Sequence, residues 1–304
     1  MKHLCKKIII CCLVILLCCG CSAQRRKNLE VELRYNGNEY WEEYDMTNTM
    51  FPTPEALEKL TEEYILQIED CLHLYNWWEY LNEDAETLIV NVYFIDGQAS
   101  YARRLSLAFQ DEVKTDIQLS KASLIDVKQD GSLAHELTHT MLGKSSFSLS
   151  LEEGICQYTQ GRLGPENYVE NYGWTWQEHF KCFVTHIKEN GKPIAFDEII
   201  ASIGISSKEY PYKIDTAESV FWYDYSRSFV EYLSEQYGIE KVVALIQNGK
   251  NENDYETYLG KSFDVIKKEW LEYFDSIVPS MTAEEAAKAE AESYETWLEE
   301  LKNR

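Results

Sequence analysis

The sequence predicts an α+β fold that is predominantly helical, with a small N-terminal sheet packed on helices and a helical C-terminal half. Three observations carry this expectation. The run Thr87 to Ile95 (TLIVNVYFI) is dense in β-branched and aromatic residues and stops at the turn pair Asp96-Gly97. Beyond residue 130, apolar residues recur at spacings of three and four, the signature of helices with one buried face. Finally, 304 residues with 45% hydrophobic and 27% charged side chains, and only 14 Gly and 6 Pro, can bury a substantial core without a disulfide or metal staple.

In chain order, the first 20 residues form an export signal. Lys2, Lys6 and Lys7 precede an apolar run from Ile8 to Leu17 that is too short to span a bilayer comfortably. The run ends in Cys18-Cys19-Gly20-Cys21-Ser22, which resembles a bacterial lipoprotein signal, although Cys18 stands where Leu is usual. That resemblance implies cleavage before Cys21, lipidation of Cys21, and an extracytoplasmic chain held to the cell membrane by its lipid. A plain secretory signal or an uncleaved anchor is the alternative reading.

Residues 21–50 are polar and aromatic without sustained periodicity, and are expected to form a tether and an irregular first strand. The domain proper spans 51–278. Thr53-Pro54 starts a helix along which Leu57, Leu60, Tyr64, Ile68, Leu72 and Tyr75 recur on one face. The strand at 87–95 follows, and a further strand is expected within Ala102 to Phe109 or Ser123 to Val127. Asp130 or Ser132 is then expected to cap a helix stopped by Gly143, and Ser150 to open another through about Gln160, ended by Gly161. Later helices are expected at Trp174 to Lys188, Ala217 to Tyr237 and Phe263 to Phe274. Residues 279–304, rich in Ala and Glu, read as a solvated terminal helix or frayed tail.

The charge narrows the function. With 52 acidic against 29 basic side chains, the net charge is -23, and no basic stripe is available to displace counterions from phosphate, which excludes nucleic acid as a partner. The same field favours encounter with basic peptides. Of nine cysteines, six lie in the first 21 residues; Cys71, Cys156 and Cys182 alone are too sparse for a disulfide framework or a CxxC metal knuckle.

His135-Glu136-Leu137-Thr138-His139 is an HExxH sequence inside an expected helix. Residues four apart share a helical face, so both imidazoles can reach one metal ion while Glu136 can reach an attacking water. A helix-surface pair of histidines is the plainer reading, but Leu133, Leu137 and Met141 require this helix to be buried on one side. The next helix offers a carboxylate in Leu151-Glu152-Glu153-Gly154-Ile155-Cys156-Gln157-Tyr158. Ser150 and Glu153 also have the spacing of a capping box.

Together, HELTH and LEEGICQY resemble the HExxH and downstream EG helix of gluzincin zinc metallopeptidases of the peptidase MA clan, in particular the compact bacterial MA-like domains. Tyr223 to Leu233 with Tyr237-Gly238, and Tyr258 to Gly260 with Phe263 and Trp270, extend the likeness over most of residues 54 to 276. The resemblance implies a metallopeptidase-like active-site helix and one Zn2+ per chain held by His135, His139 and Glu153, with Glu152 as the substitute for Glu153. It further implies Glu136 as general base and Tyr223 as donor to the developing oxyanion, with Tyr225 as rival. Gln157 stands where the family commonly has an acidic residue supporting a ligand histidine, and Cys156 where it has a small packing residue. His179 and His186, seven apart, are expected to be ordinary polar groups, and His73 carries no signal.

The expected function is therefore that of an extracytoplasmic, membrane-anchored zinc-dependent peptidase acting on a peptide or protein substrate. The alternatives are a non-catalytic surface lipoprotein that uses the same fold to bind a partner, and a structural envelope protein in which HELTH is accidental. Nothing in the sequence specifies the oligomeric state.

Overall fold

Leu88, Val90 and Val92 alternate along one strand and Ile117 and Leu119 along another, and all five are buried in the same core because side chains two apart share a sheet face. The strands belong to a four-stranded sheet seen in a computed structural model, which describes residues 30–36, 54–75, 77, 87–95, 101–109, 112–120, 131–143, 145–164, 172–213 and 216–303. They are β1 (Glu30–Asn36), β2 (Thr87–Ile95), β3 (Tyr101–Phe109) and β4 (Glu112–Ser120), in the order β1-β2-β4-β3. β1, β2 and β4 are parallel, with Val90 opposite Thr115 and Val92 opposite Ile117; β3 runs antiparallel to β4. On the other face, Asn91 donates to Asp116 across the β2/β4 pair at 2.8 Å. Parallel neighbours require a crossover, and α1 (Pro54–Leu72) lies between β1 and β2 in the chain, with Leu60, Tyr64, Ile68 and Leu72 buried.

The remaining chain is helical: α2 (Ser132–Met141), α3 (Leu149–Leu163), α4 (Trp176–Glu189), α5 (Phe196–Ser202), α6 (Ala217–Tyr237), α7 (Ile239–Asn248), α8 (Asp254–Leu259), α9 (Phe263–Ser276) and α10 (Ala283–Asn303). The α+β, predominantly helical expectation holds. β4 is an unforeseen strand, although Val113, Thr115, Ile117 and Leu119 alternate with Glu112, Lys114, Asp116 and Gln118 in the sequence. The signal region with Cys21, Asp130, and the alternative strand at 123–127 lie outside the described residues. No helix among the described residues is long and apolar enough to cross a membrane.

Local signals placed the helix ends with mixed success. Gly143, at φ 78, follows the end of α2 in the left-handed conformation a C-terminal glycine supplies. At the other end, the cap is Gly131, not Ser132, with φ 97 and no side-chain cap bond. The stop expected at Gly161 is also displaced, because α3 runs on to Leu163. Gly161 is instead where the Arg227 guanidinium of α6 presses on α3, occupying the space a Cβ would need.

Burial of aromatic side chains around α4, α6 and α9 dominates the C-terminal half. Trp270 is fully buried, and its indole N–H donates to Ser228 Oγ at 3.2 Å, so burial of its ring, on the order of 2–3 kcal/mol, is not offset by an unsatisfied donor. The tail is a helix docked along one face, with most of its other described residues exposed to solvent. Ala286 and Ala289 are buried, Ala286 with Cys182 of α4 and Ala289 against Trp174 and Trp176.

His179 is buried on α4 next to this docked helix, and burial lowers its pKa to about 4. A histidine with a depressed folded pKa takes up its proton first in the unfolded chain. Its contribution is therefore complete above about pH 6.5 and declines as the pH falls toward 4, by up to about 3 kcal/mol. The thermal midpoint should fall over that window, and His179→Gln should fall less; equal pH profiles for the two proteins would exclude His179 as the cause.

Candidate metal centre

Two glycines seven residues apart, on one face of α3, line its contact with α6. A Cβ on Gly154 would overlap the backbone carbonyl of Ser226, and one on Gly161 the guanidinium of Arg227. Without them, α6 crosses α3 at near-backbone contact, along a stripe that runs Tyr223, Ser226, Arg227 and Val230. α2 packs on the same helix α3: Thr138 and Thr159 share a hydroxyl hydrogen bond at 2.7 Å, while Thr140 reaches Thr115 of β4 at 2.9 Å. The HExxH helix is thereby fixed between the sheet and α3, with His135 and Glu136 both buried.

The imidazoles of His135 and His139 lie edge to face, 5.0 Å between centroids. Both Nε2 atoms approach one oxygen of Glu153: Oε2 is 3.2 Å from His135 and 3.5 Å from His139. Donors at zinc bonding distance in a tetrahedron stand about 3.3 Å from one another, so both Glu153–histidine separations are compatible with ligands of one metal ion, as they are with direct histidine–carboxylate contacts. The opposite nitrogens are also held. His135 Nδ1 is 3.1 Å from Gln160 Oε1, and His139 Nδ1 is 3.2 Å from Glu152 Oε1. When Nδ1–H donates to those oxygens, each neutral ring presents a lone pair at Nε2, the form a metal binds.

Glu153, assigned by resemblance, thus lies beside both histidines. A fourth residue joins them. His135, His139 and Cys156 form a buried group whose donor atoms all lie within 4.8 Å of one another and could hold a metal ion. Cys156, expected only as packing, faces the same centre because it follows Glu153 by three residues on α3. Burial raises its thiol pKa to about 12, so without a metal it is a neutral group. Burial works against protonation of His139, but the carboxylates of Glu153 and Glu152 offset it and raise the imidazole's pKa above its usual range. Glu153 is also buried, yet the neighbouring histidines keep its carboxyl far below the usual carboxylate pKa.

The tyrosines separate by helical geometry. Two residues along a helix is a rotation of about 200°, so Tyr223 and Tyr225 face opposite ways on α6. Tyr225 is fully buried among Phe180, Trp270 and Phe274 and its hydroxyl has no hydrogen-bond partner among the described residues. Tyr223 lies in the field of Glu153, His139 and Glu136; burial and Glu153 together raise its pKa and keep the hydroxyl protonated.

Several side chains take parts that the sequence did not disclose. Glu152, the alternative to Glu153, has both oxygens engaged: one lies 3.2 Å from His139 Nδ1, and the other accepts the Ser146 backbone N–H at 2.8 Å. The support under His135 comes from Gln160, seven residues after Glu153, instead of Gln157. Ser150 does not cap Glu153; its hydroxyl accepts the Gly204 backbone N–H at 2.8 Å, and Ser148 holds the N-cap position without a side-chain cap bond. Tyr210, in the loop before α6, donates to Glu153 Oε1 at 2.7 Å. No local signal marked Tyr210, which is 57 residues from its partner. His179 packs on Phe183, His186 contacts Asn190, and His73 pairs with Glu240, so none of these three joins the site.

Compared with models of known protein families, with curated proteins and with solved structures, the chain matches none.

Proposed function

We propose that the chain is a zinc-dependent peptidase of the gluzincin type, held outside the cytoplasmic membrane by a lipid on Cys21. The observation that carries this reading is the approach of two Nε2 atoms to one oxygen of Glu153, with both Nδ1 atoms already engaged. His135, His139 and Glu153 would hold the ion. Zinc at such a site lowers the pKa of water toward 7 and polarises a carbonyl. Glu136 would accept the proton of the attacking water and pass it to the leaving amine, and the Tyr223 hydroxyl, kept protonated, would donate to the oxyanion.

A second reading is favoured by Cys156. Thiolates are common ligands of structural zinc sites, and Cys156 as a fourth donor beside His135, His139 and Glu153 would close the tetrahedron, which would make the protein a metal-containing binding module without turnover. Zinc per chain, measured by elemental mass spectrometry, distinguishes the donor sets. The parent is expected to hold one zinc, His139→Ala and Glu153→Ala little, and Cys156→Ala one. Loss of zinc in Cys156→Ala would favour the closed, structural site, and no zinc in the parent after loading would end both readings.

A further inference from the structure

The loop between α5 and α6 is fastened to the helix that carries the candidate ligand. Ser207 forms a parallel bridge with Ser148: the Ser207 N–H donates to the Phe147 carbonyl at 3.1 Å, and the Leu149 N–H donates to the Ser207 carbonyl at 2.8 Å. On one side, the Gly204 N–H donates to Ser150 and its carbonyl accepts from Tyr255 OH, both at 2.8 Å. On the same strand of loop, the Ser206 N–H and hydroxyl both donate to the Glu252 carboxylate at 2.7 Å. A loop tied at three successive places holds the next residues in a defined orientation relative to the first turn of α3. Those residues include Tyr210.

Tyr210 is an unusual surface tyrosine. It is 43% exposed, yet its ring packs edge-on against Trp222 at 5.7 Å and near Tyr223 at 6.2 Å, and its hydroxyl donates to Glu153 Oε1. Oε2, the other oxygen of the same carboxylate, is the one near both histidines. One oxygen is therefore occupied by a phenol and the other faces the metal position. We propose that Tyr210 is a positioning residue that restricts Glu153 to one-oxygen coordination and so keeps a coordination position of the ion open for substrate. This rests on the metal reading above. Without the phenol, Oε1 is free to swing onto the ion, and a carboxylate bound through both oxygens fills the position that catalysis needs.

The test is cobalt(II) titration of the metal-free full chain, followed by visible absorption, which is intense for four-coordinate cobalt and weak for five or six ligands. Zinc affinity is measured in parallel by competition with a chromophoric chelator. Tyr210→Phe keeps the ring against Trp222 and Tyr223 and removes only the hydroxyl, so folding is not at stake; Tyr212→Phe is the control on the same loop. The expected result is an intense spectrum for the parent and for Tyr212→Phe. Tyr210→Phe should give a weakened, shifted spectrum and a zinc affinity altered by about 10-fold or more. A Tyr210→Phe protein with the parent's spectrum and affinity would overturn the positioning role while leaving the metal site standing. A parent that binds no cobalt would overturn the metal reading, and this inference with it.

Discussion

Glu136→Gln is expected to lower peptide turnover by about a hundred- to ten-thousandfold, the range over which a positioned general base acts, while zinc stays at one per chain. Glu136 follows the first histidine on α2, is buried, and its charge is felt by Tyr223, so it lies at the centre without being one of the three converging donors. An amide of the same shape preserves packing and cannot accept the proton. The readout is cleavage of a quenched-fluorescent peptide library beside metal content. Full turnover in this variant would sink the assignment, whereas loss of zinc would show that Glu136 builds the site instead of acting in it.

Gly154→Ala is expected to destabilise the protein by about 2 kcal/mol or more, even though alanine is the better helix former by about 1 kcal/mol. The added methyl group meets a backbone carbonyl at Ser226, which cannot move aside as a flexible side chain would. The helices must separate, carrying Tyr223 away from Glu153. Denaturant unfolding should show the lower midpoint, and any folded fraction should lose more activity than metal. An unchanged midpoint would mean that α3 and α6 do not meet as closely as described.

The HExxH face, the carboxylate before Gly154 and the helices at 54–72 and 217–237 were legible because each is a local matter. A turn of 100° per residue places His135 beside His139, and a glycine in a helix marks a close approach. β4 was hidden because its charged residues lowered its apparent hydrophobicity, although every second residue was apolar or Thr. Gly131 escaped because it stands at the helix start through its backbone conformation, at φ 97, and has no capping side chain for a sequence pattern to mark.

What the sequence determined by itself, then, was that one helical face presents His135 and His139 with Glu136 beside them, and that the next helix carries Glu153 before Gly154, whose part as a ligand came from the resemblance alone. Only the tertiary structure decided what surrounds them. It set Tyr223 near Glu153 and buried Tyr225 among aromatic rings, placed Gln160 and Glu152 behind the imidazoles, turned Cys156 toward them and brought Tyr210 to Glu153 from a distant loop. The physical reason is range. Periodicity along a helix fixes the direction of a side chain relative to its own axis, whereas the partner it meets depends on how closely other helices and loops pack, which here turns on two glycines and a β-bridge.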